Sequence, residues 1–250
     1  MNTVISRDGT PIACHSTGTG PALVLVVGAF NDHSTGTQLA GRLAAAFTVH
    51  TYDRRGRGDS GDLAPYTVER ELDDLDAVID AAGGAAAVFG YSSGALLALH
   101  AAARGSAITR LALYEAPYDS APRLGPAQRV GELVRARRRG EAVEYFQAEI
   151  VGMPAELVTR SRSAPFRPAL EAMAHTLEYD LTITGTPVDT QAVTIPVLAL
   201  AGGASPAAMR ERTHALAAAL PDATARELPG ASHHLDPAAL APILTEFCAR

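Results

Sequence analysis

Apolar runs and amphipathic stretches alternate along most of the chain. Residues 23–27 form a continuous apolar run, which is typical of a strand buried on both faces of a parallel sheet. Residues 68–82 carry acidic side chains on one face and Leu, Val and Ile on the other, so they predict an amphipathic helix. The same patterns predict strands at 3–6, 11–16, 48–52, 85–89, 110–114, 196–201 and 223–228, and helices at 35–46, 95–103, 207–220 and 237–248. This alternation indicates an α/β fold with a mostly parallel sheet.

The alternation stops between residues 116 and 194. That segment has helical patterns broken by Arg and Pro, and the sheet pattern resumes at residues 196–201. In an open α/β sheet the ligand lies outside the carboxyl ends of the strands. We therefore predict a core of residues 1–115 and 195–250, with residues 116–194 inserted as a helical cap over the site. The alternative is that this segment merely covers a surface of the sheet.

One short motif predicts the chemistry of this fold. Residues 90–94 read Gly-Tyr-Ser-Ser-Gly, match G-x-S-x-G, and lie between a predicted strand and a predicted helix, the context of a nucleophile elbow. A tight turn there holds the central Ser92 in strained backbone geometry, and the flanking glycines remove side chains that would clash. The bare pattern is common in Gly/Ser-rich loops, but its context on both sides predicts that Ser92 is a nucleophile.

A nucleophilic serine needs a general base. His233 follows the last predicted strand, in the loop that begins Pro-Gly-Ala-Ser, which places it at the same edge of the sheet as Ser92. The neighbouring His234 is expected to point elsewhere, and His50, His100 and His214 are expected to be structural or solvated. We therefore predict His233 as the base.

An acid must orient this base and stabilise its imidazolium form. The usual order of serine, acid and histidine restricts the search to carboxylates between Ser92 and His233. Glu115 directly follows the strand at 110–114 and is the best-placed acid; Asp119 comes second and Asp180, from the inserted segment, third.

Acyl transfer also requires backbone N–H groups that bind the developing oxyanion. One is expected from Ser93, immediately after the nucleophile, and the other from Ala29 in the loop after the strand at 23–27, with Phe30 close behind. Phe30, Tyr91, Phe146 and Met153 are the candidate substrate-binding residues. The aromatic and methionine side chains of the inserted segment also fit the alternative that they form that segment's own core.

Taken in order, the N-terminal hairpin, residues 23–30, 52–60 and 90–94, and the loop 230–233 resemble the α/β-hydrolase superfamily. The common acid position of that family, after the strand at 196–201, holds no carboxylate here. Some members, such as haloalkane dehalogenases, place the acid one strand earlier, and Glu115 matches that variant. Dehalogenases and epoxide hydrolases use an aspartate nucleophile, whereas this chain has Ser92. The resemblance implies acyl transfer without a cofactor through an acyl-enzyme, with His233 passing the proton to the leaving group.

The leading hypothesis is a serine hydrolase that cleaves an ester, lactone or thioester of a small, mostly hydrophobic molecule. The empty acid position motivates a second hypothesis, a non-hydrolytic enzyme on the same fold such as a cyclase, dehydratase, lyase or perhydrolase. A third is a ligand-binding protein with slow turnover.

Composition restricts the kinds of partner and chemistry that are expected for this protein. A net charge of −6 argues against nucleic acid and anionic membranes, and the expected partner is a small-molecule substrate. No apolar segment is long enough to span a membrane, the N-terminus lacks the features of a signal peptide, and the two cysteines do not suggest disulfides, so a cytoplasmic location is expected. The chain has no lysine, which excludes Schiff-base chemistry. No set of residues has the spacing of metal ligands, and the G-x-G-x-x-G match at residues 56–61 lacks the helix and acid of a dinucleotide site.

Overall fold

The computed structural model describes residues 2–249, which contain an eight-stranded sheet. The strands are β1 (Asn2–Ile5), β2 (Pro11–Thr17), β3 (Ala22–Val26), β4 (Thr48–Tyr52), β5 (Ala86–Tyr91), β6 (Ile108–Tyr114), β7 (Val197–Gly202) and β8 (Ala223–Leu228). Their order is β1-β2-β4-β3-β5-β6-β7-β8. The pairs β1–β2 and β2–β4 are antiparallel, and the remaining neighbours are parallel. The predicted mostly parallel sheet is confirmed.

The helices are α1 (Thr37–Leu43), α2 (Val68–Ala81), α3 (Ser93–Arg104), α4 (Gly125–Arg135), α5 (Arg139–Tyr145), α6 (Ala155–Ser161), α7 (Arg167–Ala172), α8 (Thr176–Gly185), α9 (Ala207–Ala219) and α10 (Pro237–Cys248). Apolar residues of α2, α3 and α9 pack on one face of the sheet, and those of α1 and α10 pack on the other. Burial on both faces explains why the central strands read as continuous apolar runs.

The first predicted helix, at residues 35–46, was too long at both ends. A 3-10 turn, His33–Gly36, precedes α1, and α1 itself ends at Leu43. Asp32 caps the turn by accepting a hydrogen bond from the Ser34 N–H at 2.9 Å, so the chain begins to coil earlier. The α1 helix ends early because the chain must reverse before β4 starts at Thr48.

Helices α4 to α8 all lie between β6 and β7, in the segment that interrupts the sheet pattern. A π-helical turn, Phe146–Ile150, follows α5. Residues of α4, α5 and α8 form a separate apolar cluster, against which Ala29 and Phe30 of the β3–α1 loop also pack. The α8 helix contacts α3 and α4, so the inserted segment is anchored beside the nucleophile motif.

None of the helices among residues 2–249 combines the length and apolar character that a membrane crossing requires.

Candidate active site

The candidate site lies where five parallel strands end. Ser92 follows β5, Glu115 follows β6, the loop that contains Ala29 follows β3, and His233 lies in the loop after β8. The buried run that begins at Asp53 follows β4. Because parallel strands end at one edge of the sheet, residues far apart in the chain converge there.

Ser92 has a backbone that few non-glycine residues adopt, with φ 55° and ψ −126°. Its N–H donates to the Tyr114 carbonyl and its carbonyl accepts from the Ala95 N–H, both at 2.9 Å, so two elements fix the turn. A Cβ on Gly28 would lie 2.8 Å from the Ser92 Cβ, and one on Gly94 would lie 2.5 Å from backbone oxygens of β3 and its loop. There is no room for a side chain at Gly28 or Gly94, which explains why glycine occupies both positions. The strained backbone of Ser92 resembles that of a nucleophile elbow.

Glu115 and His233 form a direct pair. Glu115 Oε2 lies 2.6 Å from His233 Nδ1, while Oε1 accepts from the Gly202 N–H at 2.8 Å and from the Ser205 hydroxyl at 2.5 Å. Glu115 also has a positive φ of 50° and is fully buried. Its carboxylate therefore reaches across to the end of β7, the position that carries no acid of its own.

These contacts set the ionisation of the pair. Burial by itself raises the pKa of Glu115, but the hydrogen bonds from His233, Ser205 and Gly202 outweigh it and hold that pKa below its ordinary value of 4.5. An ionised carboxylate can only accept, so His233 carries its proton on Nδ1. In the neutral form of this ring Nε2 is the nitrogen without a proton, which is the tautomer that a general base requires.

Two tyrosines bind the backbone of the loop after β8, which contains His233 and is called the histidine loop below. The Tyr91 hydroxyl donates to the His233 carbonyl at 2.6 Å, and the Tyr114 hydroxyl donates to the Ser232 carbonyl. Tyr91 ends β5 immediately before Ser92, and Tyr114 ends the neighbouring strand β6. Sequence reasoning missed this anchoring, although two tyrosines at adjacent strand ends were a visible signal.

The loop after β3 faces the start of α3. Ser93 is the first residue of α3, where N–H groups have no partner within the helix. Ala29 lies in a loop braced by Asn31, whose side-chain amide donates to the Ala29 carbonyl at 2.6 Å. Phe30 has a positive φ of 58° and its ring contacts Phe146 edge to face, with 5.4 Å between centroids.

The structure separates the three candidate acids. Glu115 alone of them contacts His233; Asp119 is exposed and accepts from the Ala121 N–H at 2.9 Å. Asp180 is buried and forms ion pairs of 2.7 Å with Arg54 and Arg57.

This buried charge cluster was missed at the sequence level, where residues 52–60 were used for the family resemblance and residues 56–61 were weighed as a nucleotide-binding loop. The signal that the sequence offered was the position of this Arg-rich run. Three arginines that closely follow a central strand are expected either in the protein interior or at the candidate active site.

The predicted substrate-binding residues have different surroundings. Phe30 and Phe146 touch each other beside the candidate oxyanion loop, whereas the Tyr91 hydroxyl is occupied by the histidine loop. Met153 is half-buried, and its N–H donates to the Gln147 carbonyl at 2.8 Å. Phe166 of the inserted segment is 56% exposed and is not part of that segment's apolar cluster.

Among the described residues, Asp32, His33 and Asp53 bring three potential metal-ligating atoms within 4.8 Å of one another. Asp53 is already occupied as a hydrogen-bond acceptor. Its Oδ1 accepts from the His33 N–H and lies 2.8 Å from the ring Nδ1, and its Oδ2 accepts from the Asp59 N–H at 2.9 Å. These contacts tie the β3 and β4 loops together and explain the residue without a metal.

A family model described as "Alpha/beta hydrolase family" matches residues 23–243. The chain belongs to this family. The predicted fold and superfamily are thereby confirmed.

Similar structures span nearly the whole chain. An alpha/beta hydrolase from Sphaerobacter thermophilus DSM 20745 is 50% identical, with a TM-score of 0.89, over 98% of this chain and 99% of that one. A thermophilic esterase from Thermogutta terrifontis is 24% identical, with a TM-score of 0.74, over 98% and 95% of the two chains. An enol-lactonase from Burkholderia xenovorans LB400 is 23% identical, with a TM-score of 0.72, over 98% and 97%. The last two likenesses establish the shared fold.

A curated relative, the uncharacterized hydrolase YraK of Bacillus subtilis (strain 168), is 35% identical over 102 residues. That match covers 39% of this chain and 38% of the relative's length.

Proposed function

We propose that this protein is a serine hydrolase that cleaves an ester, lactone or thioester of a small, mostly hydrophobic substrate through an acyl-enzyme. The observation that carries the proposal is the hydrogen bond between buried, ionised Glu115 and His233 at the strand edge where Ser92 stands in a strained turn. The fold that the chain shares with an esterase and an enol-lactonase supports acyl chemistry.

The proposed reaction has two halves. Ser92 Oγ attacks the substrate carbonyl carbon while His233 Nε2 takes the hydroxyl proton, and the carbonyl oxygen becomes an oxyanion bound by the N–H groups of Ser93 and Ala29. The carbon–leaving-group bond then breaks, and the imidazolium gives its proton to the leaving group. Water attacks the acyl carbon and loses a proton to His233; the bond between that carbon and Ser92 Oγ then breaks, and the imidazolium returns its proton to Oγ, which releases the acid and regenerates the serine.

Glu115 keeps its charge throughout and stabilises the imidazolium, because its hydrogen bonds favour the ionised form. We propose residues 116–194 as a cap, with Phe146 and Phe30 supplying an apolar wall beside the oxyanion loop. Such a wall suits an apolar acyl or alkyl group.

The test is fluorophosphonate labelling, with mass spectrometry to locate the label, together with turnover of p-nitrophenyl esters and simple lactones. We expect label on Ser92, its loss in Ser92→Ala, and turnover reduced to background in that variant. His233→Ala is expected to lose label and turnover, whereas His234→Ala, which changes an exposed neighbour in the same loop, retains both. A folded protein whose Ser92→Ala variant hydrolyses esters as fast as the parent contradicts the proposal.

A further inference from the structure

Asp180 lies on α8 of the inserted segment, yet within residues 2–249 the hydrogen bonds of its carboxylate are made with residues outside that segment. Oδ1 accepts from the Ser93 hydroxyl and from Arg54 Nη1, each at 2.7 Å, and Oδ2 accepts from Arg57 Nη2 at 2.7 Å. Asp180 is 1% exposed. A buried carboxylate with three donors, two of them cationic, is fixed in place.

The two arginines continue from Asp180 to the loop after β3. Arg57 Nη1 donates to the Gly28 carbonyl at 2.5 Å and to the Asn31 carbonyl at 3.4 Å. Arg54 Nη1 donates to the Val27 carbonyl at 3.2 Å. The backbone on both sides of Ala29 is therefore bound to side chains that Asp180 holds.

A neighbouring pair shows that burying an arginine does not require this arrangement. Arg55, in the same run after β4, is bound by Asp74 through two hydrogen bonds of 2.7 Å, and both residues are fully buried. Its remaining contacts are to Asp8 and to the Arg70 carbonyl. This second pair stabilises the packing of α2, whereas the Asp180 cluster lies between the two candidate oxyanion donors.

We propose that Asp180 is a positioning residue for the oxyanion hole. It holds Ser93 directly through the hydroxyl and holds the Ala29 loop chiefly through Arg57, since Arg54 is also bound by Glu71 at 2.6 Å, so one carboxylate joins the two N–H donors. Because Asp180 is on α8, a displacement of that helix alters both donors together. The inference rests on the proposed serine-hydrolase function.

The test compares Asp180→Asn with Asp74→Asn, which removes an equally buried arginine partner away from the loop. Asp180→Asn removes the ion pair of Arg57 and leaves Arg54 with Glu71, whereas Asp74→Asn leaves Arg55 with Asp8 as its carboxylate partner, so both variants are expected to lose stability. We expect kcat for a p-nitrophenyl ester to fall about 10- to 100-fold in Asp180→Asn with KM within about twofold, since loss of one oxyanion donor costs about 10²- to 10³-fold. Affinity for a trifluoromethyl ketone, a transition-state analogue, falls in parallel.

Asp74→Asn is expected to keep kcat within about twofold of the parent. The assays are run at about pH 8, where Asp74 is ionised, because burial raises its pKa to about 6. Equal kcat in the two folded variants overturns the proposal.

Hydrogen exchange provides a readout that does not need activity. Amides of residues 27–32 are expected to exchange faster in Asp180→Asn than in Asp74→Asn. If the unmodified protein neither labels nor turns over esters, the proposed function fails, and this exchange difference alone decides whether Asp180 positions the loop. Equal exchange in that segment contradicts the inference.

A milder variant covers the case in which Asp180→Asn does not fold. Ser93→Ala removes one donor to Asp180 and retains the Ser93 N–H, and we expect kcat to fall about three- to tenfold with little change in KM. Ser161→Ala, which removes a buried hydroxyl that donates to Val158 and Gln147 inside the inserted segment, serves as control and keeps kcat. An unchanged kcat in Ser93→Ala overturns the proposal.

Discussion

At the scale of single residues, backbone strain marks the candidate site. Four non-glycine residues of the described chain have a positive φ, and three of them, Phe30, Ser92 and Glu115, belong to the proposed machinery. Such conformations cost about 1–3 kcal/mol each and persist only where surrounding contacts fix them. Glu115 illustrates this, since its carboxylate has partners on β7 and on the histidine loop. Backbone strain is therefore concentrated at the candidate site.

Glu115→Gln tests the proposed acid at this scale. The amide can still accept a hydrogen bond but no longer stabilises an imidazolium, so kcat is expected to fall about 10³- to 10⁴-fold with a small change in KM. Steady-state kinetics on a p-nitrophenyl ester measures the effect. The matched control is Glu227→Gln, because Glu227 also lies 3.0 Å from a histidine, His214, but at the surface. A loss of similar size in both variants contradicts the assignment of Glu115.

At the scale of elements, the site depends on how closely α3 approaches β3. Gly94, in the first turn of α3, lies against the carbonyl oxygens of Val26 and Val27, and an added Cβ would be 2.5 Å from each. The close approach brings the Ser93 N–H beside the loop that carries Ala29. Helix position and oxyanion geometry are thus linked through one glycine.

Gly94→Ala tests this link. The added Cβ would clash with the backbone carbonyl oxygens of Val26 and Val27, so α3 must shift. The free energy of unfolding is therefore expected to fall by about 1–3 kcal/mol. Urea denaturation measures it. Gly41→Ala is the control: this glycine lies in α1 with nothing within 4 Å of the added Cβ, and the change is expected to stabilise by about 0.5–1 kcal/mol. Equal effects would show that α3 is free to move.

At the scale of the whole molecule, buried carboxylates join parts of the chain that are distant in sequence. Glu115 links β6 to the loops after β7 and β8, and Asp180 links α8 to α3 and to the run after β4. The pKa of each lies below its ordinary value: burial raises both, but the hydrogen bonds to Glu115 and the charges of Arg57 and Arg54 beside Asp180 outweigh it. The contacts of Glu115 and those of Asp180 therefore both depend on an ionised carboxyl.

The consequence is sensitivity to acid. The ordinary pKa values are 4.5 for Glu and 3.8 for Asp, so the unfolded chain takes up protons there while the folded protein resists. The stabilisation is present above these values, and the free energy of unfolding is expected to fall as pH drops below about 5. Urea denaturation at about pH 7, 5, 4 and 3 measures the decline.

Glu115→Gln is expected to flatten this decline, because the variant lacks one of the groups whose pKa is lowered on folding. Glu141→Gln is the control, since Glu141 pairs with Arg138 on the surface, where water screens the interaction. An identical pH dependence in the parent and Glu115→Gln contradicts the linkage.

The sequence determined the elements and their type because each has a local signal. Continuous apolar runs marked β3 and β5, and the predicted ends of β4, β8 and α10 agree with the structure to the residue. The motif at residues 90–94, the position of Glu115 directly after a strand, and that of His233 in the loop after the last strand were equally local. The first and last residues of α1 had no such local signal, because a cap at Asp32 and the reversal of the chain into β4 decide them.

Only the tertiary structure decided which carboxylate meets His233. The sequence ranked Glu115 ahead of Asp119 and Asp180 but left all three open, and their surroundings diverge because the strand order brings β6, β7 and β8 side by side while Asp180 on α8 pairs with Arg54 and Arg57. Contacts between residues about a hundred positions apart leave no periodic trace in a single sequence. Local propensity therefore predicts the elements, and the convergence of distant side chains at one sheet edge decides the site.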